Sequence, residues 1–152
     1  MFKTRTLLAA FVASVLALVS NAQTRGEIRV INGDDINPAV LSGDRPEVGS
    51  FWQARINTEG IPGQGVLMLV SSDPWPTGAF TAPSGQILID PSRSLLSVSR
   101  PIIDNLVTFG IPVPNDPSIV GENFYVQSLI FGRDLTLTNG LALTMGDRTL
   151  DE

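Results

Sequence analysis

The chain has 152 residues, with 10 basic and 15 acidic side chains and neither histidine nor cysteine. An acidic surface repels phosphate, which argues against nucleic acid or an anionic membrane as the partner. Disulfides and thiolate chemistry are excluded, and no Asn-x-Ser/Thr triplet is present to accept an N-linked glycan.

Residues 1–22 have the three parts of a secretory signal peptide. Lys3 and Arg5 make a positive start, Leu7 to Val19 is apolar apart from Ser14, and Ser20-Asn21-Ala22 supplies small residues at a cleavage site. The apolar run is shorter than the roughly 20 residues a membrane span needs. Cleavage after Ala22 predicts a mature chain from Gln23 to Glu152 with 8 basic and 15 acidic residues, a net charge of −7. The expected destination is the periplasm or the medium, with no membrane attachment after cleavage.

The mature chain is predicted to hold an N-terminal strand and an Asp/Asn/Gly-rich entry segment over 23–48, then a domain over 49–152. Glu27 to Ile31 alternates apolar and charged residues, as a short strand does, and Asn32-Gly33-Asp34-Asp35 ends it. In Phe51 to Thr58, Trp52, Ala54 and Ile56 alternate with Gln53, Arg55 and Asn57, the pattern of a half-buried strand. Gly60 to Gly65 is turn-rich, and Val66 to Val70 is an apolar run that fits a strand covered on both faces. Ser71 to Gly85 contains Pro74, Pro76, Pro83, Gly78 and Gly85, which predicts an exposed loop carrying Trp75.

Two short strands, Ile87 to Asp90 and Leu95 to Ser99, are expected around the turn Asp90-Pro91-Ser92-Arg93, and a third over Leu106 to Val113. Asp116, Pro117 and Gly121 describe a single helical turn: N-cap, first position and stop. Asn123 to Phe131, rich in aromatic and β-branched residues, is the strongest strand signal. In Leu135 to Met145, Asn139-Gly140 either makes a two-residue type I′ hairpin turn or belongs to a loop before a strand starting near Leu141. Seven or eight short strands without an amphipathic helix predict an all-β antiparallel sandwich, immunoglobulin-like or jelly-roll-like.

The order of several short signatures is similar to that of a known group. Asn37-Pro38 leads to Pro46-Glu47-Val48-Gly49-Ser50-Phe51-Trp52. Ile111 to Pro117, Gly121 to Gln127 and Leu137 to Thr144 follow. Over about Ile31 to Gly146 this pattern resembles uncharacterised β-sandwich modules that often stand C-terminally in large secreted bacterial proteins. Members of that group often carry a cysteine near the entry segment, and this chain has none. The resemblance implies an extracellular accessory module without a known activity.

Lys3 is the only lysine, so the mature chain lacks His, Cys and Lys together. A serine nucleophile would have no imidazole or amine base, and zinc or copper no favoured ligand. Carboxylates remain, at Asp34, Asp35, Asp73, Asp90, Asp104, Asp116, Glu122 and Asp134, but nearly all adjoin Gly, Pro or Asn, where Asp makes turns. The expectation is a non-enzymatic module. Its partner would be a protein or a surface polymer, or a second copy paired through strand edges, since few Lys discourage such pairing. Two further sites are weighed. Asn32, Asp34, Asp35 and Asn37 offer oxygen ligands for calcium within six residues, without the spacing of an EF-hand loop. Trp75, between Pro74 and Pro76 with Asp73 beside it, offers a ring on which a carbohydrate could stack.

Overall fold

The computed structural model describes residues 24–148, so the signal-peptide reading of residues 1–22 lies outside the described residues. Among the described residues no helix is long and apolar enough to cross a membrane. Ten strands follow in order: β1 (Glu27–Ile31), β2 (Leu41–Gly43), β3 (Phe51–Asn57), β4 (Gly65–Ser71), β5 (Phe80–Ala82), β6 (Gly85–Ile87), β7 (Ser94–Pro101), β8 (Leu106–Pro112), β9 (Asn123–Phe131) and β10 (Leu135–Thr144). They form a five-stranded sheet in the order β1-β10-β9-β4-β7, a three-stranded sheet β2-β3-β8 and a hairpin β5-β6. Every strand pair is antiparallel.

Period-2 patterning decides which faces meet. On β3, Trp52, Ala54 and Ile56 are buried and the residues between them are not. They meet Val66 and Met68 of β4, Val126 and Ile130 of β9, and Leu141 and Leu143 of β10, with Val107 and Phe109 of β8 completing the layer. This is a β-sandwich. The alternation expected over Leu106 to Val113 is present, with Val107 and Phe109 inward.

The apolar run of β4 is explained by its place inside the larger sheet, between β9 and β7. Its odd-numbered residues, Leu67 and Leu69, lie on the outer face, which Gln86 to Ile89 crosses and partly covers. Leu88 and Ile89 are each 1 % exposed there. The expected helical turn is present as the 3-10 turn Pro117–Ile119 capped by Asp116, and the turn expected at Asp90 to Arg93 is a second one, Pro91–Arg93 capped by Asp90.

Three expectations need correction. Ser71 to Gly85 is not wholly an exposed loop, because Phe80–Ala82 pairs with Gly85–Ile87 and Pro74 bridges Ile89. The strand expected over Ile87 to Asp90 is not formed: β6 ends at Ile87, and Ile89 makes only an isolated bridge to Pro74. β1 pairs with β10 over its whole length, and β2 pairs with β3.

Asn139-Gly140 is neither a turn nor a loop: β10 runs unbroken from Leu135 to Thr144. A type I′ turn needs positive φ at both positions, and neither residue has it. Instead the ladder to β9 shifts between Leu137 and Gly140. The backbone groups released by this bulge find other partners: Leu137 N–H donates to Ser84 O (2.9 Å) and Asn139 N–H to Pro38 O (3.0 Å). Gly140 is required for close approach, since a Cβ there would lie 2.7 Å from Ile31 Cγ1.

With no disulfide, stability rests on this packing. Met68→Ala, at a fully buried position, should cost roughly 2–5 kcal/mol in urea unfolding. Leu106→Ala, at a position 56 % exposed, should cost less than about 0.5 kcal/mol. Equal losses at the two positions would contradict the assigned faces.

Candidate functional site

The residues expected to bind calcium are brought together by a turn, in which the side chains of Asn37 and Asp34 are engaged by other parts of the chain. After β1, Gly33 (φ +44°) and Asp35 (φ +58°) take left-handed conformations, and Asp35 N–H donates to Asn32 O at 2.7 Å. This returns the chain so that Asn37 is buried, 3 % exposed. Asn37 Nδ2 donates to Gln86 O (2.7 Å) and Thr138 O (2.8 Å), and its Oδ1 accepts from Gln86 N–H (2.7 Å). Asp34 is held by the Gln86 carboxamide, which accepts from Asp34 N–H (3.2 Å) and donates to Asp34 Oδ2 (3.1 Å). Asn32 Nδ2 donates to Asn37 O, while its Oδ1 is buried without a partner. Asp35 points into solvent. Among the described residues no group of three or more acidic side chains is arranged to hold a metal ion. The segment acts as a latch onto β6 and β10.

Two further carboxamides work in the same way. Gln127 on β9 accepts from Leu88 N–H (2.9 Å) and donates to Gln86 O (2.8 Å) and Thr138 O (2.9 Å). Asn139 on β10 accepts from Leu41 N–H (2.8 Å) and donates to Leu41 O (2.9 Å), the two bonds an adjacent strand would make. Sequence reasoning missed both residues; the signal available was two amides inside otherwise apolar strand runs.

Trp75 is half-buried in the cover over the larger sheet, its N–H bonded to Leu88 O. Its ring lies 5.4 Å from that of Phe80, tilted by 44°. The two rings therefore make no single flat platform, and the more exposed of them is Phe80, at 51 %. Asp73 is exposed and accepts from the Ser72 hydroxyl.

The carboxylates with a displaced pKa are displaced downward. Asp44 is held below the ordinary carboxylate range by its hydrogen bond from Arg55, Asp90 by the Ser92 hydroxyl and Asp116 by the Ser118 N–H. These groups are held ionised, the opposite of what a general acid needs.

A different feature stands out on one side of the sandwich. Five strands face three, and β7 and β8 are the free edges on that side. At one end the gap between them is filled by the Arg100 guanidinium, 5.8 Å from the centre of the Phe109 ring. At the other end it opens into a cleft of about 390 Å³ lined only by apolar residues, among them Leu95 and Leu96 of β7, Ile111 of β8, Val70, Phe124 and Trp52. Trp52 is 2 % exposed and its Nε1–H is taken by Asp44 O at 2.6 Å, so it offers a visitor only ring surface. The opposite side differs: a hollow between β1 and β2 is lined by Arg25, Glu27 and Arg45, charges of the kind that discourage strand pairing. The uncharged run Ser94 to Ser99 could be read in the sequence, but its position at an edge depends on sheet order.

No family model, no curated protein and no solved structure matches the chain.

Two melting experiments follow. Calcium and a chelator should give the same midpoint, and a rise confined to calcium would contradict the latch. The lowered carboxylates have folded pKa values below their unfolded ones, so their contribution is complete above the ordinary carboxylate pKa of about 4 and is lost as pH falls through the folded values. The midpoint should thus be nearly level from about pH 8 to 5 and fall below about pH 4. A marked step near pH 6.5 would have no side chain to explain it.

Proposed function

We propose that the chain is an exported, non-enzymatic β-sandwich that works outside the cell as an interaction module and engages its partner through the β7–β8 side. The observation that carries this reading is the apolar cleft that opens between the β7 and β8 edges, at the end away from Arg100. Free edge amides and carbonyls recruit extended chain, and an adjacent apolar cleft accepts the side chains such a segment carries. An exposed apolar surface of this kind is usual at contact sites.

Composition supports the non-enzymatic half of the proposal. From residue 24 onward the chain has no side chain that ordinarily titrates near neutrality, so proton transfer there lacks an agent. The leader-like first 22 residues and the order of the turn motifs support an extracellular place. A carbohydrate reading rests on Trp75 and Phe80 alone, and their tilt presents one ring rather than a platform.

A photo-cross-linking side chain introduced at Leu95 in the producing cell, with the same group at Gln53 on the far face of the smaller sheet, tests the proposal. Adducts are expected at Leu95 and not at Gln53. Adducts at neither position, or equally at both, would contradict the assigned surface.

A further inference from the structure

We propose that the occupant of the β7 edge is the β7 strand of a second copy of this chain, paired antiparallel about Ser97 so that two five-stranded sheets become one; this identifies the partner in the reading above and rests on it.

The four edges are not equivalent. β1 carries Glu27 and Arg29. β2 has three residues, and next to it lies the Asp44–Arg55 ion pair at 2.7 Å. β8 contains Pro112, which has no N–H to offer, and Gly110, which weakens a strand. β7 is eight residues long, and its one charge, Arg100, and its one proline, Pro101, both stand at its C-terminal end. Natural edges are usually kept short or charged to prevent pairing, and Ser94 to Ser99 is an uncharged run without proline.

The alternation of its side chains also restricts the register, and Ser97 is next to the middle of the strand. Pairing with β4 sets the faces: Leu96, Val98 and Arg100 stand opposite Val70, Met68 and Val66 on the inner side, Ser97 and Ser99 are on the outer side, and Leu95 falls in the bulge between Leu96 and Ser94, where it joins Leu96 at the cleft. A two-fold axis perpendicular to the sheet keeps the faces matched only when it passes through a residue position, because side chains alternate with a period of two. With the axis at Ser97, Ser97 of one copy lies beside Ser97 of the other and Leu96 beside Val98. No like charges are opposed over this regular part of the strand.

The same register addresses the cleft. Sheets of five and three strands, spaced by about 4.8 Å, leave β7 overhanging the smaller sheet. Leu95 is 60 % exposed there, and Leu96 lines the cleft. The second copy's Val98 would stand next to Leu96 on the inner side, bringing an apolar side chain to the cleft mouth that this copy leaves open.

The chain has no cysteine, so single-cysteine variants report the register directly. In the paired form Ser97 faces Ser97, at the roughly 4.5–5.5 Å Cα separation of directly opposed residues, which suits a disulfide. Two Ser99 residues would be four positions apart, roughly 13 Å, too far to link. Under mild oxidation of the mature chain, Ser97→Cys should yield covalent dimer about ten-fold more than Ser99→Cys. Sedimentation equilibrium of the unsubstituted chain should show dimer growing with concentration. Ser97→Lys, at an exposed position, should give a monomer whose melting midpoint is independent of concentration and equals that of the unsubstituted chain when dilute.

A chain that stays monomeric from micromolar to millimolar concentration would overturn the proposal, as would equal cross-linking at positions 97 and 99. Monomeric behaviour together with Leu95 adducts to another protein would remove self-pairing and leave the module reading standing, whereas loss of both results would remove both.

Discussion

Three buried side-chain amides, those of Asn37, Gln127 and Asn139, hold together parts of this molecule that no strand ladder joins. Asn139 gives Leu41 the donor and acceptor that a neighbouring strand would give, tying β10 of the larger sheet to β2 of the smaller one. Gln127 does the same for Gln86 and Leu88 on the outer face. Asn37 closes the arrangement by bonding both Gln86 and Thr138. An amide buried without partners costs about 1–3 kcal/mol, comparable with the loss of a sizeable core contact. Each of these has at least two partners, so burial specifies position instead of opposing the fold. In a chain without disulfides, this is how a short β2 and a short β6 are kept in place.

The bulge in β10 follows from the same requirement. Leu137 to Gly140 must face Ser84, Pro38, Asn37 and Gln127, and these cannot all be reached from a regular ladder with β9. On one side the sandwich is thereby closed by the entry segment and by the charged surroundings of β1 and β2. Among the described residues, no side-chain amide ties the two sheets together on the other side. β7 and β8 stand apart, bridged by Arg100 over Phe109 at one end and open to Trp52 at the other. The asymmetry directs attention to the β7 edge as the place of contact.

Much of the fold was legible because it depends on local period. The alternation of Trp52, Ala54 and Ile56, the apolar run of β4, the aromatic β9, the turn at Asp90 and the cap at Asp116 all express near-neighbour chemistry. What was not legible depends on distant partners. β2, β5 and β6 have three residues each and too little pattern to register. Asn139-Gly140 carries turn chemistry, yet Asn139 bonds Leu41, 98 residues away. The Asn32 to Asn37 cluster has the composition of a cation loop. Its orientation is decided by Gln86, 49 residues from Asn37. The candidate surface was visible only as a lack of charge in Ser94 to Ser99; sheet order makes that lack an edge.

The claim that side-chain amides stand in for strand pairing is tested most directly by native-state hydrogen exchange in Asn139→Ala and Gln127→Ala. Each variant should lose about 1–3 kcal/mol. Protection should fall first at Leu41 N–H in the former and at Leu88 N–H in the latter. Unchanged protection at both amides, with stability lowered by less than about 0.5 kcal/mol, would contradict the account.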